Sequence, residues 1–344
     1  MMLIRHIASR DLDDLLRLAE NTGIGVTTLP ANRDLLAAKI ERSEASFAKK
    51  RSKEKAFYFF ALEDTERGVI VGVSGIEASV GLEDVWYNYR ISTTVNSSKE
   101  LGIHQQTPTL YLSNDLTGCS EVCSLFLDEP YRHSNNGQFL SKVRFLFLAD
   151  FQSYFASKIF AEMRGVSDKS GHSPFWEGLG KHFFRMNFSE ADYQTGIGNK
   201  SFIAELMPKY PIYLPFLSES AQEVVGKVHE NTRPALSMLE AEGFNFNGYV
   251  DIFDAGPTVE VFVNNIRTVQ QSNKRQVLVV NNPKSADTSQ LMMVSNRSFE
   301  GFRAVIIPQG WAQMDTVSLP ADMAKRLNVH SGDIVRVSAL PKRK

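Results

Sequence analysis

Apolar and polar positions alternate in two rhythms along the first two hundred residues. Leu3–Ile7 reads as a strand. Leu12, Leu15, Leu16 and Ala19 then recur at helical spacing behind Ser9, a residue able to cap, and Asn21-Thr22-Gly23 stops the helix. A second helix is predicted from about Arg33 to Phe47, capped by Asn32 after Pro30, with Leu36, Ile40 and Phe47 on its buried side. The apolar runs Ala56–Leu62 and Val69–Ala78 flank the polar EDTERG and predict a hairpin. Residues 81–120 hold two further strand-like runs, WYNYRISTTV and TPTLYLSND, read as an insertion on the same sheet in which Trp86, Tyr87 and Tyr89 pack.

The chain then alternates strand and helix. Glu121–Leu127 is strand-like, Asp128–Arg132 turns, and Arg132–Gly137 leads into a helix that carries Leu140, Val143, Phe147 and Phe151 on one face. Lys158–Gly165 predicts a strand and Pro174–Phe184 a short helix. Beyond residue 200, Ala221–Val228 has helical character. Pro234–Glu242 predicts a helix closed by Gly243, and Gly248–Phe253 a strand. The tail from about Val259 is rich in strand-like runs and ends in a short helix, a Ser-Gly-Asp turn and a strand. Its last four residues, PKRK, are expected to be disordered. The organisation predicted is an α/β chain in three parts: residues 1–200, 201–260 and 261–344.

Composition narrows the function. The chain of 344 residues is 43% hydrophobic and 22% charged, the balance of a globular protein, with a formal net charge of -1. Near-neutrality gives no reason to expect nucleic acid or an anionic membrane as partner. Cys119 and Cys123 read as reduced thiols, and no spacing suits a metal. The N-terminal MMLIRHIASRDLDD lacks an apolar core and a cleavage site, and the apolar run near Phe145–Ala149 is too short to span a bilayer. A soluble cytoplasmic protein is therefore expected.

The loop Arg132-His133-Ser134-Asn135-Asn136-Gly137 carries the chemistry. A glycine between a strand and a helix lets backbone approach an anion, and the first helical turn offers unsatisfied N–H groups and a partial positive charge. Taken alone, the same residues also read as a tight strand-to-helix turn.

The order of elements around this loop resembles the GCN5-related N-acetyltransferase fold, whose loop has the pattern Arg/Gln-x-x-Gly-x-Gly/Ala and cradles the pyrophosphate of coenzyme A. Asn135 stands at the first glycine, a residue that tolerates left-handed backbone. The resemblance implies that the strands on either side of the loop helix splay. Ser124, Leu125, Phe126 and Leu127 would then line pantetheine, and the diphosphate would sit on Arg132, Asn135, Asn136 and Gly137. The acyl carbonyl would lie near Cys123–Leu125.

Longer blocks resemble one family, the bacterial arginine N-succinyltransferases: Thr27–Ser43, Trp86–Arg90, Thr109–Gly118, Ala161–Phe184, Phe202–Tyr213, Val228–Phe244 and Tyr249–Glu260. The resemblance implies an acyl-CoA N-acyltransferase fold with a mixed sheet flanked by helices, a second lobe of the same kind and a β-rich tail. It also implies a reaction: the α-amine of L-arginine attacks succinyl-CoA, the first step of arginine breakdown to glutamate. Succinyl-CoA is a co-substrate here, and no permanently bound cofactor is expected. In the family's Val-His-x-x-Thr-x-Pro-Ala block the histidine is the proton donor, which places that role on His229; His172 is the second choice. Arg90, Arg164 and Lys181 are candidates for the succinyl carboxylate, and Glu121, Glu162, Asp251 and Asp254 for the guanidinium. A homo-oligomer, or a hetero-oligomer with a related chain, is the expected assembly. Two other readings are carried forward: a non-catalytic CoA-binding or regulatory subunit, and a DNA-binding tail, disfavoured by its lack of a basic stripe.

Overall fold

The computed structural model describes residues 1–22, 28–168, 170–196, 201–283 and 290–341. Gly23 of the predicted helix stop lies outside them, as do the last three residues of PKRK.

β1 (Met2–His6) leads to α1 (Leu12–Glu20) and α2 (Arg33–Phe47); β2 (Phe57–Asp64) and β3 (Val69–Glu77) form the predicted hairpin. A longer hairpin, β4 (Asn88–Ser98) and β5 (Ile103–Ser113), precedes β6 (Ser120–Leu127), α3 (Asn136–Phe151) and β7 (Lys158–Glu162). A π-helical turn at Trp176–Gly180 opens into α4 (Lys181–Phe184). Then come α5 (Phe188–Gly196), α6 (Ser201–Leu206), β8 (Ile212–Tyr213), α7 (Glu219–Val224) and α8 (Arg233–Glu240). The last part runs β9 (Asn245–Val250), β10 (Pro257–Phe262), α9 (Arg267–Gln271), β11 (Asn273–Val280), β12 (Leu291–Ser295), β13 (Arg303–Pro308), β14 (Thr316–Pro320), α10 (Ala321–Leu327) and β15 (Ile334–Leu340).

Among the described residues these strands join one sheet in the order β14-β11-β15-β12-β13-β1-β2-β3-β6-β7-β10-β9-β4-β5-β8. The β4–β5 insertion does lie on the common sheet, as its pattern predicted, but at the far side, beyond β9. At the other side β13 pairs antiparallel with β1, so the tail extends the same sheet while burying an apolar cluster of its own around Val277, Val305, Leu319 and Val337.

The centre follows from β2, FYFFALED, whose side chains are buried on both faces. Phe57, Phe59 and Ala61 pack with Leu15, Leu18, Leu36 and Ile40 of α1 and α2. Tyr58, Phe60 and Leu62 pack with Phe139, Leu140, Val143 and Phe147 of α3 on the other face. α2 is stitched to β2 by Ser43 and Ser46, whose hydroxyls accept the N–H groups of Phe59 and Phe57, each at 3.0 Å. Asn32 caps α2 as predicted, accepting from Asp34 and Leu35 N–H at 3.1 Å. Ser9 does not cap α1. It opens a single 3-10 turn and donates its hydroxyl to Glu44 at 2.7 Å, while Asp11 receives the Arg5 guanidinium in two bonds of 2.6 and 2.9 Å. No helix among the described residues is long and apolar enough to cross a membrane.

Candidate active site

β6 and β7 are parallel and pair only at Ser120–Ile159 and Glu121–Phe160. Beyond Glu121 they diverge, so β6 from Val122 to Leu127 pairs with β3 on one side and, among the described residues, has no strand on the other. A bulge sits in this free stretch: Ser124 and Leu125 together oppose Ser74, between the pairs Cys123–Gly75 and Phe126–Val73. Ser124 takes φ 53°, a left-handed conformation that costs a non-glycine residue of order 1 kcal/mol or more and clusters at functional positions.

Two cations, Lys39 half-buried and Arg144 buried, flank the bulge, Arg144 reaching the Cys123 carbonyl at 3.5 Å. Lys39 of α2 donates to the Ser124 hydroxyl at 3.0 Å and to the Thr28 carbonyl at 2.6 Å, lying over the Phe57 and Phe59 rings. Its pKa is lowered, chiefly by burial. Arg144 of α3 donates to the Ser141 carbonyl at 2.9 Å, and burial pushes it down to about 10. The Cys123 thiol between them is pushed up to about 12, chiefly by burial. A thiol so reluctant to ionise is an inert core residue, not a nucleophile.

The strand ends in a short turn, and the chain enters α3 through two left-handed residues, Ser134 at φ 51° and Asn135 at φ 63°. Asn135 thus adopts the conformation a glycine would supply. The Asn136 side chain is buried and donates to the Tyr131 carbonyl at 3.1 Å, bracing the turn. Arg132 is exposed; its Nε donates to the Leu127 carbonyl at 3.0 Å. The Phe139 N–H makes the first helical bond, to Asn135 at 2.9 Å. No side chain caps α3, so the N–H groups of Gly137 and Gln138 have no acceptor among the described residues. A β-carbon on Gly137 would meet only Leu127, at 3.7 Å, so the approach is open. Free N–H groups at the start of a sixteen-residue helix are a site for an anion.

His229 is positioned by the segment that follows β7. The segment after β7 forms a bridge, Gly165 with Val228, and the His229 N–H donates to the Arg164 carbonyl at 2.9 Å. Nδ1 accepts from the Asn231 N–H at 3.1 Å, so the neutral ring carries its proton on Nε2. Burial and then the nearby Arg164 cation hold the imidazole below its usual range, partly offset by a hydrogen bond to the Ser167 backbone and by Glu230. His229 caps a short turn through Nδ1, and its ring is held toward the neutral form.

The Arg164–Gly165 segment is itself pinned by Asp254. Its carboxylate accepts from Gly165 N–H at 2.6 Å and Gly256 N–H at 2.8 Å, and a β-carbon on Gly256 would meet the Met163 carbonyl at 2.0 Å. Asp251 and Asp254 are therefore structural here. Glu162 accepts from Asn88, and Glu121 is buried beside Cys123. Of the four carboxylates predicted for the guanidinium, Asp251 and Asp254 are thus engaged by backbone N–H groups. Arg90 lies on the far hairpin with Asp115 and Tyr249, and Lys181 pairs with Glu177. Only Arg164, among the three predicted cations, is beside His229. His172 is exposed, 3.2 Å from Asp168, and lines an open pocket of about 680 Å³ with Ser167, Glu177 and His182. Replacing Asp254 by alanine strands two backbone N–H groups; a loss of about 2–4 kcal/mol in denaturant unfolding is expected, with Asp254→Asn milder. Unfolding at the parent midpoint would show the clamp unimportant.

Lys39 was not foreseen. Its one signal was a lysine placed three residues after Leu36 and one before Ile40, on the face of α2 that otherwise turns inward.

A thioester laid over the unpaired edge of β6 would have its amide groups paired as an added strand and its diphosphate on α3, which is the design of the acyl-CoA-dependent N-acyltransferases of the GCN5-related class. Comparison with known proteins narrows this. Residues 2–268 match the family described as arginine N-succinyltransferase beta subunit, and residues 275–339 match its C-terminal domain. The arginine N-succinyltransferase of Yersinia enterocolitica is 48% identical over 340 residues, covering 99% of this chain and 98% of that one. The arginine N-succinyltransferase subunit beta of Pseudomonas aeruginosa is 49% identical over 343 residues, covering 100% and 99%. The solved structure of arginine/ornithine succinyltransferase subunit AI from Pseudomonas aeruginosa superposes with a TM-score of 0.91 at 36% identity, covering 99% of both chains. The chain belongs to the arginine N-succinyltransferase family.

Proposed function

We propose that this chain transfers succinyl from succinyl-CoA to the α-amine of L-arginine, giving N2-succinyl-L-arginine and free CoA. The reading rests on three observations: an unpaired strand edge, the uncapped helix it leads into, and an imidazole held toward its neutral form on the segment after β7. Pantetheine would pair along Ser124, Leu125, Phe126 and Leu127. The diphosphate would meet Gly137 and the backbone shaped by Asn135 and Asn136, with exposed Arg132 alongside. As the amine nitrogen bonds to the carbonyl carbon, its proton goes to His229 Nδ1 in place of the resting bond from Asn231; the C–S bond then breaks, and the imidazolium's Nε2 proton goes to the thiolate, which leaves the ring neutral again. Residues 1–200 would hold the carrier, 201–260 bring the base, and 261–344 buttress α3. Work in the cytoplasm, within an assembly of like or related chains, is part of the same proposal.

Thiol release from succinyl-CoA, followed with and without L-arginine, tests it. Release that requires arginine, with a succinylated product, is expected from the purified chain alone. No arginine-dependent release by the purified chain alone would favour the non-catalytic CoA-binding subunit.

A further inference from the structure

Arg164 makes no close ion pair among the described residues, although the charges of Asp254 and Asp192 reach it. No carboxylate of the described residues lies within ion-pairing distance of it. Its one side-chain bond runs from a terminal nitrogen to the Ser167 hydroxyl at 2.8 Å, and its Nε is buried with no acceptor. A half-buried guanidinium left so is costly, because desolvation is not compensated by pairing. The cost has a reason if a substrate supplies the anion.

Place decides which anion. The backbone of Arg164 is bonded to His229, and the guanidinium is close enough to depress the imidazole. If His229 is the base, the attacking α-amine must come to it. In an α-amino acid the carboxylate is on the next carbon, so an amine at His229 puts its carboxylate within a few ångströms of the neighbouring cation. The planar fork of arginine suits a carboxylate in two parallel bonds. The pocket that shares Ser167 with Arg164, rimmed by Asp168 and Glu177, lies where the rest of the amino acid can extend. We infer that Arg164 is the receptor for the α-carboxylate of the acceptor amino acid, holding its amine at His229. The inference rests on the proposed role of His229 and adds the group that makes the enzyme select an α-amino acid over a simple amine.

The test uses full-length enzyme saturated with CoA, a complex that binds acceptor without chemistry. Calorimetry would compare L-arginine with agmatine, which keeps the amine and the guanidinium but lacks the carboxylate. Arg164→Gln is expected to weaken arginine binding by about 30- to 1000-fold, leave agmatine and CoA binding unchanged, and keep the preference for succinyl-CoA over acetyl-CoA. Arg164→Lys should recover part of the arginine affinity, and it carries the same arginine-against-agmatine comparison if the glutamine variant does not fold. Arginine bound as tightly by Arg164→Gln as by the parent overturns the inference. So does a collapse of the succinyl-over-acetyl preference with arginine binding intact, which would assign Arg164 to the donor's carboxylate. Binding needs no base, so failure of the His229 reading would appear separately, as undiminished turnover in a His229 variant.

Discussion

Replacing His229 by asparagine or alanine is expected to lower kcat by about 10²- to 10⁴-fold, the usual worth of a positioned acid–base group, with CoA binding unchanged. Two variants are needed because the side chain has two jobs. Its Nδ1 accepts from the Asn231 N–H, so alanine removes a cap as well as a base. Asparagine caps well but takes no proton, so it isolates the chemistry. The pH profile gives a second check. The imidazole is held below its usual value of about 6.5 by burial and by Arg164. A lowered pKa keeps the ring neutral further into acid. The active, neutral form is therefore full at neutral pH, and the rate falls only as pH drops through that depressed value. In His229→Asn this acid limb should vanish. Turnover equal to the parent in both variants would remove His229 from the mechanism.

How much of this was legible beforehand depends on where each signal lives. Asn32, the FYFFALED strand and the turn at Arg132–Gly137 act within a few residues, and the structure places all three where the pattern put them. α3 is different. Its spacing predicted one apolar face, yet ten consecutive residues from Phe139 to Leu148 are buried, Lys142 and Arg144 among them. The second face is covered by α8, α9 and β15, elements that begin more than eighty residues later, and no local period announces that cover. The carboxylates failed for a related reason. Asp251 and Asp254 looked like free anions in the sequence, but they are spent on backbone N–H groups that only the fold brings to them. The splay itself is a matter of register: β6 and β7 are each ordinary apolar strands, and only their two-residue pairing makes them a site.

The buried cation in α3 leads to the largest stability change expected. Lys142 donates to Glu242 at 2.5 Å, with both side chains nearly solvent-free, and the other Glu242 oxygen accepts from the Thr268 N–H of α9 at 2.7 Å. One carboxylate thus ties α3 to the segment after α8 and to the start of α9. Replacing Glu242 by alanine leaves a buried ammonium alone, which costs about 3–5 kcal/mol, against about 0–1 for an exposed pair. Denaturant unfolding measures it. The double variant Lys142→Met, Glu242→Leu removes the stranded charge along with its partner and should recover most of the loss. What it cannot recover is the acceptor for Thr268, worth about 1–3 kcal/mol. If Glu242→Ala and the double variant unfold alike, the charge pair is not what holds α3, and the helix is kept in place by its apolar cover alone.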